Sequence, residues 1–167
     1  MLPKTIQNFL EKNKIKYEAI EHKTVFTALD KAATLRVKPA LVGKTVVVAF
    51  DGQNYALTLI PANKNLDKAK LLAAVNKIRQ KAGLKNFKKA DFAKEQWAKA
   101  NIKGVKIGTT PPFGSVYNLP LFLDNSLVKQ SKIIVNGGDY MISLKLSPGS
   151  LIKLENTVKG NFSQAKK

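Results

Sequence analysis

Leu41–Phe50 reads LVGKTVVVAF, and after Asp51-Gly52 and two polar residues the chain continues with Tyr55–Ile60, YALTLI. The β-branched run Val46, Val47, Val48 packs well on a pleated surface, so the first stretch reads as a strand. Asp-Gly accepts the left-handed backbone of a tight hairpin turn, which makes YALTLI the antiparallel return. Gly43-Lys44-Thr45 also spells the end of a phosphate-binding loop. The complete motif needs a glycine at position 38 and a helix afterwards, whose N-terminal amides face the phosphates. Position 38 is Lys38 and a strand follows, so the reading goes against a nucleotide-binding loop. Lys44 is instead a cation placed where a strand begins.

Outward from this hairpin the apolar periodicity alternates between helix and strand. Ile6, Phe9 and Leu10 recur at helical spacing between Pro3 and Lys14, with Pro3 suited to a first turn. Lys16–His22, KYEAIEH, alternates and predicts a strand. Thr27 with Asp30 three residues on resembles a capping box, opening a helix that carries Ala32, Ala33 and Leu35. The stretch 66–82 places Leu71, Leu72, Val75 and Ile78 on one face of a helix and Lys68, Lys70, Lys77 and Lys81 largely elsewhere. A second short helix is expected over 91–100, carrying Phe92 and Trp97, with Trp97 in the core. Leu119–Asp124, Lys132–Asn136 and Met141–Leu146 are β-rich, and Ser147-Pro148 opens a last helix through Leu151 and Leu154. From Asn156 the chain is polar and lysine-rich, which predicts a frayed tail. The sum is a single α/β domain over 1–155, with a mixed, mostly antiparallel, barrel-like sheet and short surrounding helices. A basic polar tail follows over 156–167.

Composition narrows the chemistry. Among 167 residues there is no cysteine and one histidine, His22, so a Cys/His zinc site, a disulfide and thiol catalysis are excluded. No continuous apolar segment is long enough to span a bilayer and the N-terminus lacks an apolar leader core, so a cytoplasmic protein without membrane association is expected. Twenty-nine Lys and Arg against eleven Asp and Glu give a net charge of +18. Such an excess attracts polyanions through long-range fields and counterion release, and nucleic acid is the first partner to expect.

Gly108–Gly114, GTTPPFG, is the least ordinary stretch. Two prolines fix the backbone and remove two N–H donors, while the flanking glycines permit a turn and close approach to a ligand. Such a loop can present amides to an acyl carbonyl or a phosphate, or it can simply connect helix to sheet. His22 is a tempting general base, but it ends a strand and no orienting carboxylate is evident, so a structural role is preferred. Asp124 and Asp139 each end a β segment near a turn. Asp139, after Gly137-Gly138, is the better candidate for a pocket rim.

Taken in order, KYEAIEH, VFTALDKAA, GKTVVVA, ALTLIPAN, LDKAKLLAAV, GTTPPFG, LPLFLDNSL and IIVNGGDYMISLKLSPGSLIKL resemble the YbaK/ProRS-associated domain family of aminoacyl-tRNA deacylases. The resemblance spans most of the chain. It implies a cofactor-free α/β domain that hydrolyses the ester linking a wrong amino acid to the 3′ end of tRNA, commonly tRNA charged by prolyl-tRNA synthetase. The implied partners are aminoacylated tRNA and, through it, a synthetase. By the same resemblance Lys44, Gly108, Thr109 and Thr110 are the catalytic candidates, and the loop through Pro112 frames the aminoacyl group. Phe26, Thr27, Pro111, Pro112, Phe113, Gly138 and Asp139 are the substrate-binding candidates. Many members carry a second glycine where this chain has Thr109, which leaves the pocket's shape open. Physical chemistry supports the division of labour independently. An aminoacyl ester is already activated, so its hydrolysis needs chiefly a positioned nucleophile and stabilisation of the developing oxyanion. The alternative is a non-catalytic RNA-binding or regulatory module of the same fold.

Overall fold

The computed structural model describes residues 1–154 and 156–166. In chain order the elements are α1 (Lys4–Lys12), β1 (Glu18–Glu21), α2 (Ala28–Leu35), β2 (Gly43–Phe50), β3 (Asn54–Pro61), β4 (Lys64–Leu66), α3 (Lys68–Lys81) and β5 (Ala90–Phe92). They continue with α4 (Glu95–Asn101), β6 (Leu121–Asp124), α5 (Asn125–Val128), β7 (Ile133–Asp139), β8 (Ile142–Leu146), α6 (Pro148–Ile152), β9 (Thr157–Gly160) and β10 (Ser163–Ala165). The expected hairpin is present. Asp51 and Gly52 take φ of 52° and 67°, the left-handed values that a tight turn demands. β2 and β3 pair antiparallel from Gly43 opposite Pro61 to Phe50 opposite Asn54.

Around that pair the strands order β5-β2-β3-β6-β9, with β6 and β9 parallel to their neighbours, while β1-β8-β7 form a second, antiparallel sheet and β4-β10 a third. A parallel bridge between Val42 and Ile134 ties the first sheet to the second. The fold is therefore the mixed α/β domain expected, but the sheets stay open rather than closing into a barrel.

Period-two alternation explains why β3 and β6 lie between two cores. Leu57, Leu59, Leu121 and Leu123 point into one cluster with Ile6 and Leu10 of α1 and Ile133, Val135, Leu144 and Leu146 of β7 and β8. Ala56, Ile60 and Phe122 point into the other, with Leu71 and Val75 of α3. Each fully buried leucine contributes about 1.5–3 kcal/mol, so the central strands carry much of the stability. A third, smaller cluster joins Ala32 of α2, Val42, Ala62 and Ile134.

Local signals fix the helix ends. The Thr27 hydroxyl accepts from Asp30 N at 3.0 Å, and Asp67 Oδ1 accepts from Lys70 N at 3.0 Å. On α3 the apolar face is narrower than the periodicity suggests: Leu71 and Val75 are buried, but Ile78 is 44% exposed.

Two expectations are corrected. The helix foreseen over 91–100 starts only at Glu95, because residues 90–92 pair with the open edge of β2. Asp91 sits 2.7 Å from Lys68 Nζ and 3.5 Å from Lys89 Nζ, which holds this edge strand, and Phe92 stays 55% exposed beneath the Lys68 ammonium. Trp97 is half-buried: it packs against the first cluster and stacks on Tyr55 at 3.6 Å between ring centroids. The second correction concerns the polar C-terminal segment, which does not fray. β9 adds to β6, β10 adds to β4, and Phe162 between them is 1% exposed.

Asp124 explains the docking of that segment. Its carboxylate is 3% exposed; one oxygen accepts from Phe162 N at 2.7 Å, and the other accepts from the backbone and hydroxyl of Ser126 at the start of α5. Asp124 is thus a structural carboxylate. Asp124→Ala leaves the buried Phe162 N–H without its charged acceptor, and urea unfolding is expected to show a loss of about 2–3 kcal/mol.

Candidate active site

The start of β2, the N-terminal turn of α2, the end of β7 and the Gly108 turn meet in one cleft of about 230 Å³. Its lining includes Phe26, Thr27, Lys44, Gly108, Thr109 and Asp139, together with Lys31, Thr45 and Asn136. The Val42–Ile134 bridge brings β2 alongside β7, and the cluster of Ala32, Val42, Ala62 and Ile134 seats α2 against both strands.

The end of β7 is built to turn side chains inward. Asn136 pairs with Ser143 and Asp139 with Ile142, so Gly137 and Gly138 form an inserted bulge between them. Gly138 has φ of 96°, and a Cβ there would lie 2.8 Å from Pro3 Cγ and 2.9 Å from Val105 Cγ1. Only glycine fits. Gly138 therefore shapes the rim from behind, while Asn136 and Asp139 face the cleft.

The proline loop divides its residues between cleft and core. Gly108 takes φ of 80° at the mouth of the cleft. The Thr109 N–H donates to Lys106 O at 3.1 Å and its hydroxyl to the same oxygen at 2.5 Å, which locks the turn. Thr110 lines a neighbouring cleft of about 290 Å³, together with Gly108, Lys99, Lys103 and Lys106. Pro111, Pro112 and Phe113 are buried. Phe113 packs on Phe9 with ring centroids 5.4 Å apart, anchoring the loop to α1. These three support the turn from beneath rather than lining the cleft.

At the rim Phe26 is 69% exposed and meets Tyr140 edge-on at 5.0 Å, while the Tyr140 hydroxyl donates to Ile107 O at 2.7 Å. Asp139 pairs with Lys106 at 2.9 Å, and that ammonium, with the Met141 N–H, holds its carboxyl below the usual range. His22 stands outside the cleft lining. A carbonyl can only accept, so Nδ1, 2.8 Å from Lys23 O, is the donor there, and Nε2 hydrogen-bonds with Ser143 Oγ at 2.9 Å.

Sequence reading missed a nearly buried cation in the cleft lining. Lys31 is 5% exposed, although it stands in DKAAT, where a lysine reads as a solvated helix residue. Its Nζ donates to Asn136 Oδ1 at 2.6 Å, and Asn136 Nδ2 donates to Thr110 O at 3.3 Å. Helix, bulge and proline loop are thereby joined by one polar chain. The capping signal at Thr27 placed the helix start correctly, and the short side chains of Ala28 and Ala32 were the available hint that α2 packs closely. Thr45 adds a buried hydroxyl with no hydrogen-bond partner among the described residues.

Burial lowers both cleft lysines. Desolvation brings Lys31 from 10.5 to about 8. Desolvation and then the Lys166 ammonium lower Lys44. Two cations, one nearly buried and one half-buried, thus line the same cleft.

The family model for the aminoacyl-tRNA editing domain matches residues 22–154. The chain belongs to that family. Among solved structures, the hypothetical protein APE2540 is 20% identical, with a TM-score of 0.78 over 96% of this chain and 100% of its own. A candidate trans-editing enzyme for prolyl-tRNA synthetase is 21% identical, with a TM-score of 0.75 over 98% of this chain and 97% of its own. At such identities these likenesses establish the fold. No curated protein matches the sequence significantly. No described helix is long and apolar enough to cross a membrane.

Burial of Lys31 couples the stability of the fold to pH. Between pH 8 and 10.5 the unfolded chain holds a proton that the folded chain has released, so raising the pH stabilises the fold; below pH 8 both states hold it and the burial cost is fully felt. Lys31→Met is expected to reduce the slope of unfolding free energy against pH in that window by up to about 1.4 kcal/mol per pH unit, read by urea unfolding at a series of pH values.

Proposed function

We propose that this editing domain hydrolyses the ester bond of mischarged aminoacyl-tRNA, acting in trans in the cytoplasm on tRNA charged by a synthetase, prolyl-tRNA synthetase being the first to test. The observation that carries the reading is that Lys44 and the Gly108 turn, far apart in sequence, line the same small cleft. In the reaction a water oxygen attacks the carbonyl carbon, the C–O bond to the ribose breaks, and the ribose oxygen takes a proton. The activated ester needs positioning and charge stabilisation more than a strong base.

Thr109 N–H is already spent on Lys106 O, so it is not an oxyanion donor. Gly108 N and Thr110 N have no hydrogen-bond partner among the described residues, and Gly108, on the cleft wall, is the better placed of the two. Lys44 at the half-buried mouth steadies the ester's developing charge or the adjoining phosphate. Phe26, exposed at the rim, offers a face on which the terminal adenine stacks. The net charge of +18 supplies the long-range attraction for tRNA.

Lys44→Ala is expected to lower deacylation by at least about 10²-fold with an unchanged thermal melt, measured on tRNA charged with Ala, Cys, Ser, Pro, Asp and Asn. Undiminished hydrolysis would remove Lys44 from the mechanism. Salt-sensitive tRNA binding by the wild type without cleavage of any charged species would replace the enzyme with an RNA-binding module.

A further inference from the structure

Lys31 has no carboxylate within 4.0 Å among the described residues; Asp139, the acid in the cleft lining, is engaged with Lys106. One of its three N–H donors goes to Asn136 Oδ1, which is neutral, so the ammonium is taken out of water without a counter-charge. An uncompensated buried cation is costly, and such a group is satisfied by a ligand that brings the missing anion. Thr45, also among the lining residues, has a buried hydroxyl with no hydrogen-bond partner among the described residues.

Size decides which anion enters. At about 230 Å³ the cleft falls below the ~300–1,000 Å³ of pockets that take drug-sized ligands, so it admits an aminoacyl group but leaves the nucleotide outside. The tRNA phosphates then face the more exposed Lys44 at the mouth. In an aminoacyl ester the α-carboxyl is esterified and neutral, and the α-amino group is a cation, which suits the Asp139 rim and not the floor. The oxyanion that develops on the ester belongs with Lys44 and the Gly108 turn, so the remaining source of standing negative charge at the floor is the amino acid's own side chain.

We propose that Lys31 and Asn136 form an anion-binding subsite at the floor of the cleft that receives the side-chain carboxylate of the substrate's amino acid, making acidic aminoacyl groups the preferred cargo. The inference rests on the deacylase reading for its biological sense, but the subsite is measurable without turnover. Asn136 orients the lysine: its Oδ1 accepts from Nζ while its Nδ2 is held by Thr110 O. Lys31 is thus a specificity residue, and the ester chemistry stays with Lys44 and the Gly108 turn.

The test compares groups of equal shape and different charge. Calorimetry measures binding of 3′-deoxy-3′-aspartylamido-adenosine and its asparaginyl counterpart, neither of which carries a phosphate, and of AMP. Wild type is expected to bind the aspartyl compound at least about tenfold more tightly. Lys31→Met should bring that ratio near one. Asn136→Asp, which supplies an internal carboxylate beside the lysine, should do the same, so a folding defect in one variant, checked by thermal melt, does not leave the result open. In parallel, kcat/KM on Asp-tRNA over Asn-tRNA should fall with the same variants. Equal binding of the two amides by wild type overturns the subsite, as does a Lys31→Met effect confined to AMP. Turnover of Ala-tRNA with no charge preference sinks this inference and leaves the deacylase standing. Charge-selective binding without turnover of any charged tRNA does the reverse.

Discussion

The contact between Val42 and Ile134 holds the candidate site together. Val42 immediately precedes β2 of one sheet and Ile134 lies in β7 of another, so the parallel bridge between them links the two sheets. Ala62 N, just past β3, donates to Val42 O at 2.8 Å and holds Val42 in place. Lys44 follows two residues after Val42, and Asn136 two after Ile134. The cleft therefore opens where two strands separate just past a buried apolar joint, and of its two lysines Lys31 is almost wholly out of water while Lys44 is half-buried. Low dielectric surroundings strengthen any charge interaction made there, and the same surroundings raise the cost of a charge left alone.

Features set by neighbours in the chain were legible in the sequence. Asp51-Gly52 gave the hairpin, Thr27 the start of α2, and Asp67 sits where the next helix begins, because turns and caps depend on a few consecutive residues. Long-range pairing was not legible. Residues 90–92 join an edge whose existence depends on β2, and the C-terminal strands are recruited by Asp124 and by the sheet edges they cover, despite polar sequences suited to solvent. Tertiary context overrode local preference in both cases.

The candidate site divides the same way. Lys44, Gly108 and Asp139 could be nominated from strand starts, turns and family resemblance, and they share a cleft. Pro111, Pro112 and Phe113 are conspicuous in sequence for the rigidity they impart, and that rigidity is spent on anchoring the loop to Phe9. Lys31 was invisible because a lysine in a polar, alanine-rich helix is nearly always solvated, and burial is a property of the assembled fold.

The stack of Trp97 on Tyr55 has a practical bearing. The chain contains a single tryptophan, and its ring lies flat on a tyrosine of the central hairpin, at an interplanar angle of 7°. Helix α4, which carries it, also contributes Lys99 to the basic cleft behind Gly108. Emission from that one indole thus reports whether α4 stays seated on the sheet, and the molecule carries its own optical gauge for any displacement of this wall when a polyanion docks.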